Sequence, residues 1–366
     1  MAQSSTTGFS KYLSLIANRL LETAVWTFAE LGVADLFPED GTPQTAEELA
    51  QKQGWNSEYL YRLLRTVADF DIVREIKTGE TVQPEKTSRF QLTEDSRLLL
   101  SNDSSKTRSV LCFELSPLLK TASFHLPLLT REGANKGSGL AEVIGNISPF
   151  EFLQKEENKH LAQNAYDTMT GYSTYSGQPI ANAVDFGRFQ AITDIGGCSG
   201  SLLAHILEKY PTIKHGICFD LPSVIQHTEG KNEFEKQNIP KDRYEYRGGD
   251  MFDSTTIPQT DAYIMKNIIH DWPDDRAIDI LKSIRRAAST KSITIFIIDY
   301  IILTDNEQDQ FVHRFTHAFD LHMMIAHTAK ARTQKQYEHL LEESGFQFKH
   351  LYRTTTPYSI IEATTN

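Results

Sequence analysis

A histidine followed by an aspartate is the first candidate for chemistry in this chain. The two residues, His270 and Asp271, lie in the segment KNIIHDWPDD, where a β-strand should end and a helix should begin. An imidazole titrates near neutral pH and can take a proton from a hydroxyl that attacks an electrophile. An isolated pair of this kind favours a structural role, in which His270 fills a turn and Asp271 caps the helix. A glycine-rich turn expected at the same sheet edge reverses that preference and indicates a general base.

That glycine-rich turn lies in AITDIGGCSGSLLAHIL, residues 191–207. The pattern predicts a strand, a tight turn and a helix, which is how α/β folds bind nucleotide-like ligands at the carboxyl end of a strand. The spacing is not G-x-G-x-x-G, so a nicotinamide cofactor is disfavoured. The spacing D-x-G-x-x-x-G, with Gly196 as its first glycine, suits an adenosyl ligand that lacks a pyrophosphate. A tight turn also needs glycine for structural reasons alone.

Three further strand ends carry candidate ligand-binding residues in the same chain order. Asp220, in CFDLP, follows Asp194 by 26 residues and could accept hydrogen bonds from both ribose hydroxyls or cap the next helix. The turn GGDMF, with Asp250 and Met251, could hold an adenine ring. Lys266 ends the following strand. Four strand ends arranged in this order indicate a single ligand site.

The second half of the chain predicts the scaffold that positions these residues. From Phe186 onward, β-rich apolar runs alternate with helical ones. This alternation is typical of an α/β, Rossmann-like fold with a mostly parallel sheet and helices on both faces. We therefore assign residues 186–366 to that domain and residues 106–185 to a helical linker region. The Gly-rich segment 131–139 is expected to be a surface loop.

The first part of the chain, residues 1–105, predicts a small helical domain with a hairpin. Apolar spacing indicates helices over 11–31 and 57–68, and Thr45-Ala-Glu-Glu48 is a possible capping box. A hairpin should follow, with its turn at Thr78-Gly79-Glu80. Helix, helix, helix, hairpin is a winged-helix arrangement, which serves either DNA binding or dimerisation.

The composition favours dimerisation over DNA binding and argues against membrane-spanning and secreted proteins. The 366 residues carry a formal net charge of −11, and residues 1–110 hold 12 basic against 16 acidic side chains, which is the wrong sign for binding nucleic acid or an anionic membrane. Dimerisation is therefore favoured. No apolar run is long enough to span a bilayer, and no secretory signal is recognisable. Three cysteines without a C-x-x-C pair fit a reducing compartment, so we expect a cytoplasmic protein.

The motifs together resemble those of the two-domain, dimeric class I S-adenosylmethionine-dependent O-methyltransferases, such as the plant caffeic acid and flavonoid enzymes and acetylserotonin O-methyltransferase. They run in the family's order over nearly the whole chain: DIGGCSG, FDLP, GGDMF, KNIIHDWPDD and DLHMM…ART…YEHLLEESGF. The resemblance implies S-adenosyl-L-methionine as cofactor, His270 as general base, Asp271 as a substrate contact and a homodimer through the N-terminal domain. The cofactor contacts it implies are Gly196, Asp220, Leu221, Asp250, Met251 and Lys266.

Three positions depart from the family's pattern. Cys198 replaces the third glycine of the turn and adds a side chain beside the cofactor, where it could react with alkylating agents. Two acidic residues usually flank the base, and the first corresponds to Asp299, which is shorter than the common glutamate. Ala331 stands at the position of the second. The resemblance therefore implies that Asp299 alone orients His270.

Two further residue groups carry weaker signals. Histidines recur at four- and five-residue spacing, but the glutamate of H-E-x-x-H is absent, so we expect no metal site and assign the helix to a pocket wall or a dimer contact. These histidines are His313, His317, His322 and His327. Met169, Met323 and Met324 are polarizable and could clamp an aromatic substrate, or could equally belong to the core.

The sequence thus predicts a dimeric O-methyltransferase that methylates a hydroxyl, with a phenol favoured, on a small aromatic molecule. The lining of the acceptor pocket would come from the helical region 106–185. One alternative is an enzyme of the same fold that binds the cofactor but catalyses a non-methylating reaction, because the second carboxylate is missing. A non-catalytic regulator built on the winged helix is opposed by the acidic charge balance. A nicotinamide-dependent dehydrogenase has the least support.

Overall fold

The chain divides into two compact units, each described here by itself. In the computed structural model, the first unit contains Met1–Lys120 and Leu153–Gly171, and the second contains Thr121–Phe152 and Tyr172–Asn366. The structure describes residues 7–76, 79, 81–133, 137–147, 149–228, 232–289, 292–302 and 310–365.

The first unit combines short helices with a small antiparallel sheet. Its elements are α1 (Phe9–Glu30), β1 (Gln44–Thr45), α2 (Ala46–Gln51), α3 (Ser57–Ala68), β2 (Val73–Ile76), α4 (Pro84–Thr87), β3 (Arg89–Leu92), α5 (Thr107–Glu114) and the first part of α6 (Pro117–Ser123). The strands are ordered β1-β3-β2. Phe28, Leu49, Leu64 and Phe90 have no solvent exposure and form the centre of its core.

Local sequence signals in this unit are confirmed, with one difference. Helix α3 spans the predicted range, and the capping box is complete, with Glu48 N donating to Thr45 Oγ1 at 3.1 Å and Thr45 N donating to the Glu48 carboxylate at 2.7 Å. Strands β2 and β3 pair antiparallel as expected. Helix α4 lies in their connection, so the turn is longer than a tight hairpin. Thr78 and Glu80 of the predicted turn lie outside the described residues.

One side of α1 is apolar and exposed. Its side chains repeat at three- and four-residue spacing, which places them on a single face of the helix. They are Phe9, Tyr12, Leu13, Ile16 and Leu20, with exposed fractions of 75%, 62%, 49%, 58% and 57%. The buried residues of α1 lie near its carboxyl end, at Val25, Phe28 and Ala29. An apolar surface of this extent is typical of an interaction site.

The second unit is built on a seven-stranded sheet. Its strands are β4 (Ala191–Ile195), β5 (His215–Asp220), β6 (Tyr244–Gly248), β7 (Ala262–Lys266), β8 (Thr294–Asp299), β9 (Gln347–Arg353) and β10 (Ser359–Thr364). Their order is β6-β5-β4-β7-β8-β10-β9. The first five of these strands are parallel, as predicted, and β10 and β9 add an antiparallel pair at the edge.

The second unit also contains helices, several of which pack against the sheet. They are α7 (Leu126–Glu132), α8 (Gly139–Ile144), α9 (Pro149–Leu153, whose last residue belongs to the first unit), α10 (Lys159–Ala183, which begins in the first unit), α11 (Ser201–Lys209), α12 (Pro222–Thr228), α13 (Glu233–Lys236), α14 (Asp274–Ala287), α15 (Gln310–His327) and α16 (Gln334–Ser344). The predicted loop at 131–139 is shorter than expected, because α7 and α8 extend into it; residues 134–136 lie outside the described residues.

Alternating side chains of the central strands form two separate cores. On β8, Phe296 and Ile298 pack into one core with α11, while Ile295 and Ile297 pack into the other with α14 and α16. All four side chains have no exposure. A strand buried on both faces reads as a continuous apolar run, which explains why IFII predicts a central strand. Within the described residues, no helix has the length and apolarity needed to cross a bilayer.

Candidate active site

The carboxyl ends of the parallel strands bring the predicted site residues to one edge of the sheet. Asp220, Lys266 and Asp299 are the last residues of β5, β7 and β8. Gly196 directly follows the end of β4, which lies between β5 and β7. Because parallel strands end on the same side, side chains far apart in the sequence meet there.

The glycine-rich turn is shaped by its protein neighbours. Gly196 has a φ of 71°, and a Cβ there would lie 2.3 Å from Ile268 Cδ1. A Cβ on Gly197 would lie 2.8 Å from Cys218 Sγ. Cys198 adopts a φ of 50°, a left-handed conformation that favours glycine, which accounts for the family's glycine at this position. The turn therefore needs its small residues whether or not a ligand is bound.

Asp220 is anchored by backbone amides and retains capacity for a ligand. Cys198 N donates to Oδ2 at 3.0 Å and Leu221 N donates to Oδ1 at 2.7 Å. Burial raises the pKa of the Asp220 carboxyl, and these two hydrogen bonds oppose that shift. Each carboxylate oxygen can accept a second hydrogen bond. The group thus fits a vicinal diol, which presents two adjacent hydroxyl donors.

Two further ionisable groups influence each other near Asp220: Asp194 is buried and Lys266 is half-buried. Burial raises the pKa of Asp194 to about 7, with Lys266 opposing the shift and Asp220 adding to it. Burial also lowers the pKa of Lys266 to about 8, with Asp194 and Asp299 opposing. The Lys266 ammonium lies 5.1 Å from the centre of the Tyr358 ring. Lys266 therefore connects the carboxylates of β4 and β8 electrostatically.

The turn after β6 carries Asp250 and Met251. Asp250 Oδ1 accepts a hydrogen bond from Phe252 N at 2.9 Å, which shapes the turn, and the side chain is exposed. Met251 is half-buried and packs against the core that contains α14. Leu221, after β5, is 44% exposed. These side chains are available at the same sheet edge.

His270 lies in a short 3₁₀ turn, Ile269–Asp271, between β7 and α14. A fully buried arginine, Arg332, holds this turn. Its guanidinium donates to the carbonyls of Ile269 at 3.0 Å and Trp272 at 2.7 Å, and it pairs with Asp274 at 2.7 Å. Helix α14 is not capped by a side chain, so Asp271 is not its N-cap.

The imidazole of His270 lies between two carboxylates. Nδ1 is 2.7 Å from Asp299 Oδ1, and Nε2 is 3.4 Å from Asp271 Oδ1. The first contact has the length of a charge-assisted hydrogen bond, but it lacks the alignment of one. It is therefore a close electrostatic contact, which becomes an ion pair when the imidazole is protonated. Burial lowers the pKa of His270, but the charges of Asp299 and Asp271 outweigh burial and raise that pKa above its ordinary value of 6.5.

Asp299 has a second partner that the sequence did not predict. The hydroxyl of Tyr337, on α16, donates to Asp299 Oδ2 at 2.7 Å, and both side chains have no exposure. Ala331, where the family's second acidic residue was expected, is 3% exposed, and its backbone N donates to Asp320 at 2.9 Å. A phenol therefore contacts the Asp299 carboxylate in a chain that has alanine at position 331.

Aromatic rings pack beside His270, among them Phe319 of α15. The ring of Phe319 lies edge-on to His270 with centroids 5.2 Å apart, and Tyr300 lies 4.4 Å from Phe319. Of the predicted substrate contacts on this helix, Met323 is buried and Met324 is half-buried. Met169 is 39% exposed and belongs to the first unit.

The histidines of α15 do not form a metal cluster in the described part of the chain. His313 and His317 lie side by side, with ring centroids 4.2 Å apart. Across the described ranges, no three histidine, cysteine, aspartate or glutamate side chains are arranged to hold a metal ion.

Sequence reasoning missed three residues of this site. Arg332 and Tyr337 lie in the segment ARTQKQY, and Phe319 lies on α15. A buried arginine or tyrosine has the same sequence appearance as an exposed one. The only available signal was the tyrosine's position in the first turn of an amphipathic helix, which predicts burial but no partner.

Comparison with known proteins gives two family matches that together cover most of the chain. The chain matches the model of the O-methyltransferase domain over residues 128–347 and that of the O-methyltransferase dimerisation domain over residues 13–102. It is 30% identical over 354 residues to a phenazine O-methyltransferase of Lysobacter antibioticus, covering 96% of this chain and 94% of that protein.

Two further similarities cover nearly the whole chain. A tabersonine 16-O-methyltransferase of Catharanthus roseus is 27% identical over 351 residues, covering 94% of this chain and 92% of that protein. The solved structure of human N-acetylserotonin methyltransferase in complex with SAM shares the fold, with a TM-score of 0.83 at 21% identity over 100% of both chains. The chain therefore belongs to the O-methyltransferase family that carries an N-terminal dimerisation domain and uses S-adenosylmethionine as methyl donor.

Proposed function

We propose that the protein methylates a phenolic hydroxyl of a small aromatic molecule, with His270 as the general base. The observation that carries this proposal is the contact of His270 Nδ1 with Asp299 at 2.7 Å, at the sheet edge that holds the cofactor residues. The negative charge of a carboxylate 2.7 Å from Nδ1 favours the tautomer of the neutral ring that carries its proton on that atom, so Nε2 offers its lone pair.

Proton removal is the step that this chain's residues must supply. When bound, S-adenosylmethionine provides a sulfonium methyl group that needs no further activation. An acceptor hydroxyl placed at Nε2 of His270 would lose its proton to the imidazole as its oxygen is methylated. Asp299 then stabilises the imidazolium, and Asp271, 3.4 Å from Nε2, can receive a hydrogen bond from the substrate. Phe319, Met323 and Met324 supply apolar surface near the base for an aromatic ring.

The cofactor residues have complementary roles. Asp220 would accept a hydrogen bond from each of the two ribose hydroxyls, because each of its carboxylate oxygens has one unused acceptor site. Gly196 provides close access to the backbone after β4. Asp250, Leu221 and Met251 would surround the adenine ring, and Lys266 would contact the charged end of the cofactor.

The remaining regions have roles in the same proposal. We assign residues 1–105, with their winged-helix-like arrangement, to homodimer formation and residues 186–366 to cofactor binding. The part of the helical region 106–185 that belongs to the second unit, residues 121–152 and 172–185, would contribute to the acceptor pocket. The low cysteine content supports a cytoplasmic location.

Labelled methyl transfer to a panel of small phenols and aryl amines tests the proposal. We expect label in a phenol product with wild-type protein, and a 10²- to 10⁴-fold lower turnover for His270→Gln, because a positioned base contributes about that much. Cofactor affinity, measured by calorimetry, should be nearly unchanged. His205→Gln, at a partly buried histidine on α11, is the control.

Equal rates for His270→Gln and wild type would exclude His270 as the base. If label is found only in amine products, the methyl acceptor is a nitrogen and the phenolic acceptor is excluded. If the cofactor binds but no label moves to any acceptor, the proposed reaction fails in favour of a non-methylating one, which the alanine at position 331 already makes a candidate.

The pH dependence of kcat/KM should report the His270 ionisation. Only the neutral ring accepts a proton, so activity should fall as the pH drops through a pKa above 6.5. Asp299→Asn removes the charge that raises this pKa, so its acid limb should lie at lower pH and its maximal rate should be reduced. The assay should use a phenol with a pKa near 10, so that ionisation of the acceptor does not contribute to the acid limb of the profile. An acid limb that is the same in both proteins would contradict the assignment.

Replacing Asp220 should weaken cofactor binding selectively. In Asp220→Asn the charged acceptor is lost, so we expect the KM for S-adenosylmethionine to rise about 10- to 100-fold while kcat at saturation changes little. Asp242→Asn, at an exposed carboxylate before β6, is the matched control. Unchanged cofactor affinity in Asp220→Asn would remove this residue from the cofactor site.

The exposed apolar face of α1 should be buried in the homodimer. Ile16→Glu together with Leu20→Glu places two charges on that face, so we expect the molecular mass measured by light scattering to fall toward that of a monomer, 41.5 kDa. Asn18→Glu, on the opposite side of the same helix, should leave the dimer intact. A dimer that persists in the double variant would assign the contact to another surface.

A further inference from the structure

Asp299 is a fully buried carboxylate with a different partner on each oxygen. Oδ1 lies 2.7 Å from His270 Nδ1, and Oδ2 accepts the Tyr337 hydroxyl at 2.7 Å. A buried carboxylate needs donors on its oxygens, because it has exchanged its hydration for the protein interior. Two partners on opposite oxygens also determine how the carboxylate plane is rotated.

Tyr337 is held firmly in the position from which it donates. Its helix, α16, begins with a capping box in which Thr333 Oγ1 accepts from Gln336 N and the Gln336 side chain accepts from Thr333 N. The residue follows in the first turn, and its side chain has no exposure within the core beneath α14 and α16. The ring therefore has little freedom to turn its hydroxyl away from Asp299.

The Tyr337 hydroxyl acts as a donor over the whole working pH range. Burial raises its pKa well above the ordinary value, and the Asp299 charge and the hydrogen bond to it add to the shift, with Arg332 opposing. The other charged groups that face the pair are Asp271 and Lys266, which act on His270 from the turn and from β7. The contact from α15 is the uncharged ring of Phe319.

We propose that Tyr337 is a positioning residue for His270, acting through Asp299 in a chain that has alanine at position 331. The phenol holds Oδ2, so Oδ1 stays turned toward His270. It also draws part of the carboxylate's negative charge away from the imidazole, which keeps the ring from binding its proton too tightly. This role rests on the proposed function of His270, whereas the physical coupling of the three side chains does not.

The coupling predicts a shift in the His270 titration. In Tyr337→Phe the Asp299 charge acts on the imidazole alone and stabilises its protonated form. The His270 pKa, followed by NMR of labelled histidine and identified with His270→Gln, should rise by roughly 0.5 to 1 unit. The acid limb of kcat/KM should move to higher pH by the same amount, and kcat on the plateau should fall about 3- to 10-fold.

Tyr263→Phe is the matched control. Tyr263 is also fully buried in the same core, and its hydroxyl donates to the carbonyl of Pro258 at 2.7 Å. Loss of its hydroxyl should affect thermal stability without moving the His270 titration. An unmoved or lowered His270 pKa in Tyr337→Phe would overturn the proposal and leave the tyrosine a purely structural role.

Two further variants keep the proposal testable. Site-specific 3-fluorotyrosine at position 337 retains the ring and hydroxyl but donates more strongly, so the His270 pKa should fall; a rise or no change would overturn the proposal. In the Asp299→Asn background, Tyr337→Phe should have little further effect on kcat, because the tyrosine acts through the carboxylate. If the two substitutions instead lower kcat independently and additively, Tyr337 does not act through Asp299.

The NMR and kinetic measurements separate this inference from the proposed function. If His270→Gln methylates as fast as wild type, the base assignment fails, yet the NMR shift in Tyr337→Phe would still establish the coupling. If His270 is required for turnover but its pKa is the same in Tyr337→Phe and wild type, the proposed function holds and the positioning role fails.

Discussion

One buried negative charge, the carboxylate of Asp299, determines what must surround the end of β8. Its side chain has no solvent exposure, and desolvating a carboxylate costs several kcal/mol unless partners compensate for it. Those partners are His270, on the turn after β7, and Tyr337, on α16. The packing of this corner and the basicity of the imidazole therefore depend on the same electrostatic interaction. Elements that carry no obvious chemistry, such as α16, become part of the site through it.

A second buried ion controls the backbone of the same corner. Arg332 donates to two carbonyls of the turn that carries His270 and pairs with Asp274 at the start of α14. Its own carbonyl accepts a hydrogen bond from Ile302 N at 3.0 Å, just beyond β8. Asp299 thus acts on the charge of the imidazole, while Arg332 holds the turn that presents it. Asp299 ends β8 and Arg332 follows that strand, so the surroundings of His270 are assembled from distant parts of the chain.

The cofactor edge follows a different principle, because close packing shapes it before charge does. Ile268 and Cys218 fill the space that side chains at Gly196 and Gly197 would need. The left-handed conformation of Cys198 then directs its backbone N toward Asp220. The carboxylate is held by amides of its own and the neighbouring strand end, and each oxygen keeps one acceptor site for a ligand. A turn that the fold requires for packing is thereby also suited to bind a ribose.

The sequence by itself determined the α/β class, the order of the strand ends and the candidate base. Those features are local: an apolar run, a glycine spacing or a capping box reports on the residues beside it, as Thr45 and Glu48 show. Sequence pattern also placed Asp220 and Lys266 at strand ends, whereas Asp299 was identified only through the family resemblance. It did not predict that the sheet would finish with an antiparallel pair, because β9 and β10 differ from parallel strands only in their partners. Only the tertiary structure decided which groups touch Asp299 and the His270 turn. Tyr337 and Arg332 look like ordinary helix and loop residues until folding buries them, because burial and partner choice depend on contacts across the chain and not on local spacing.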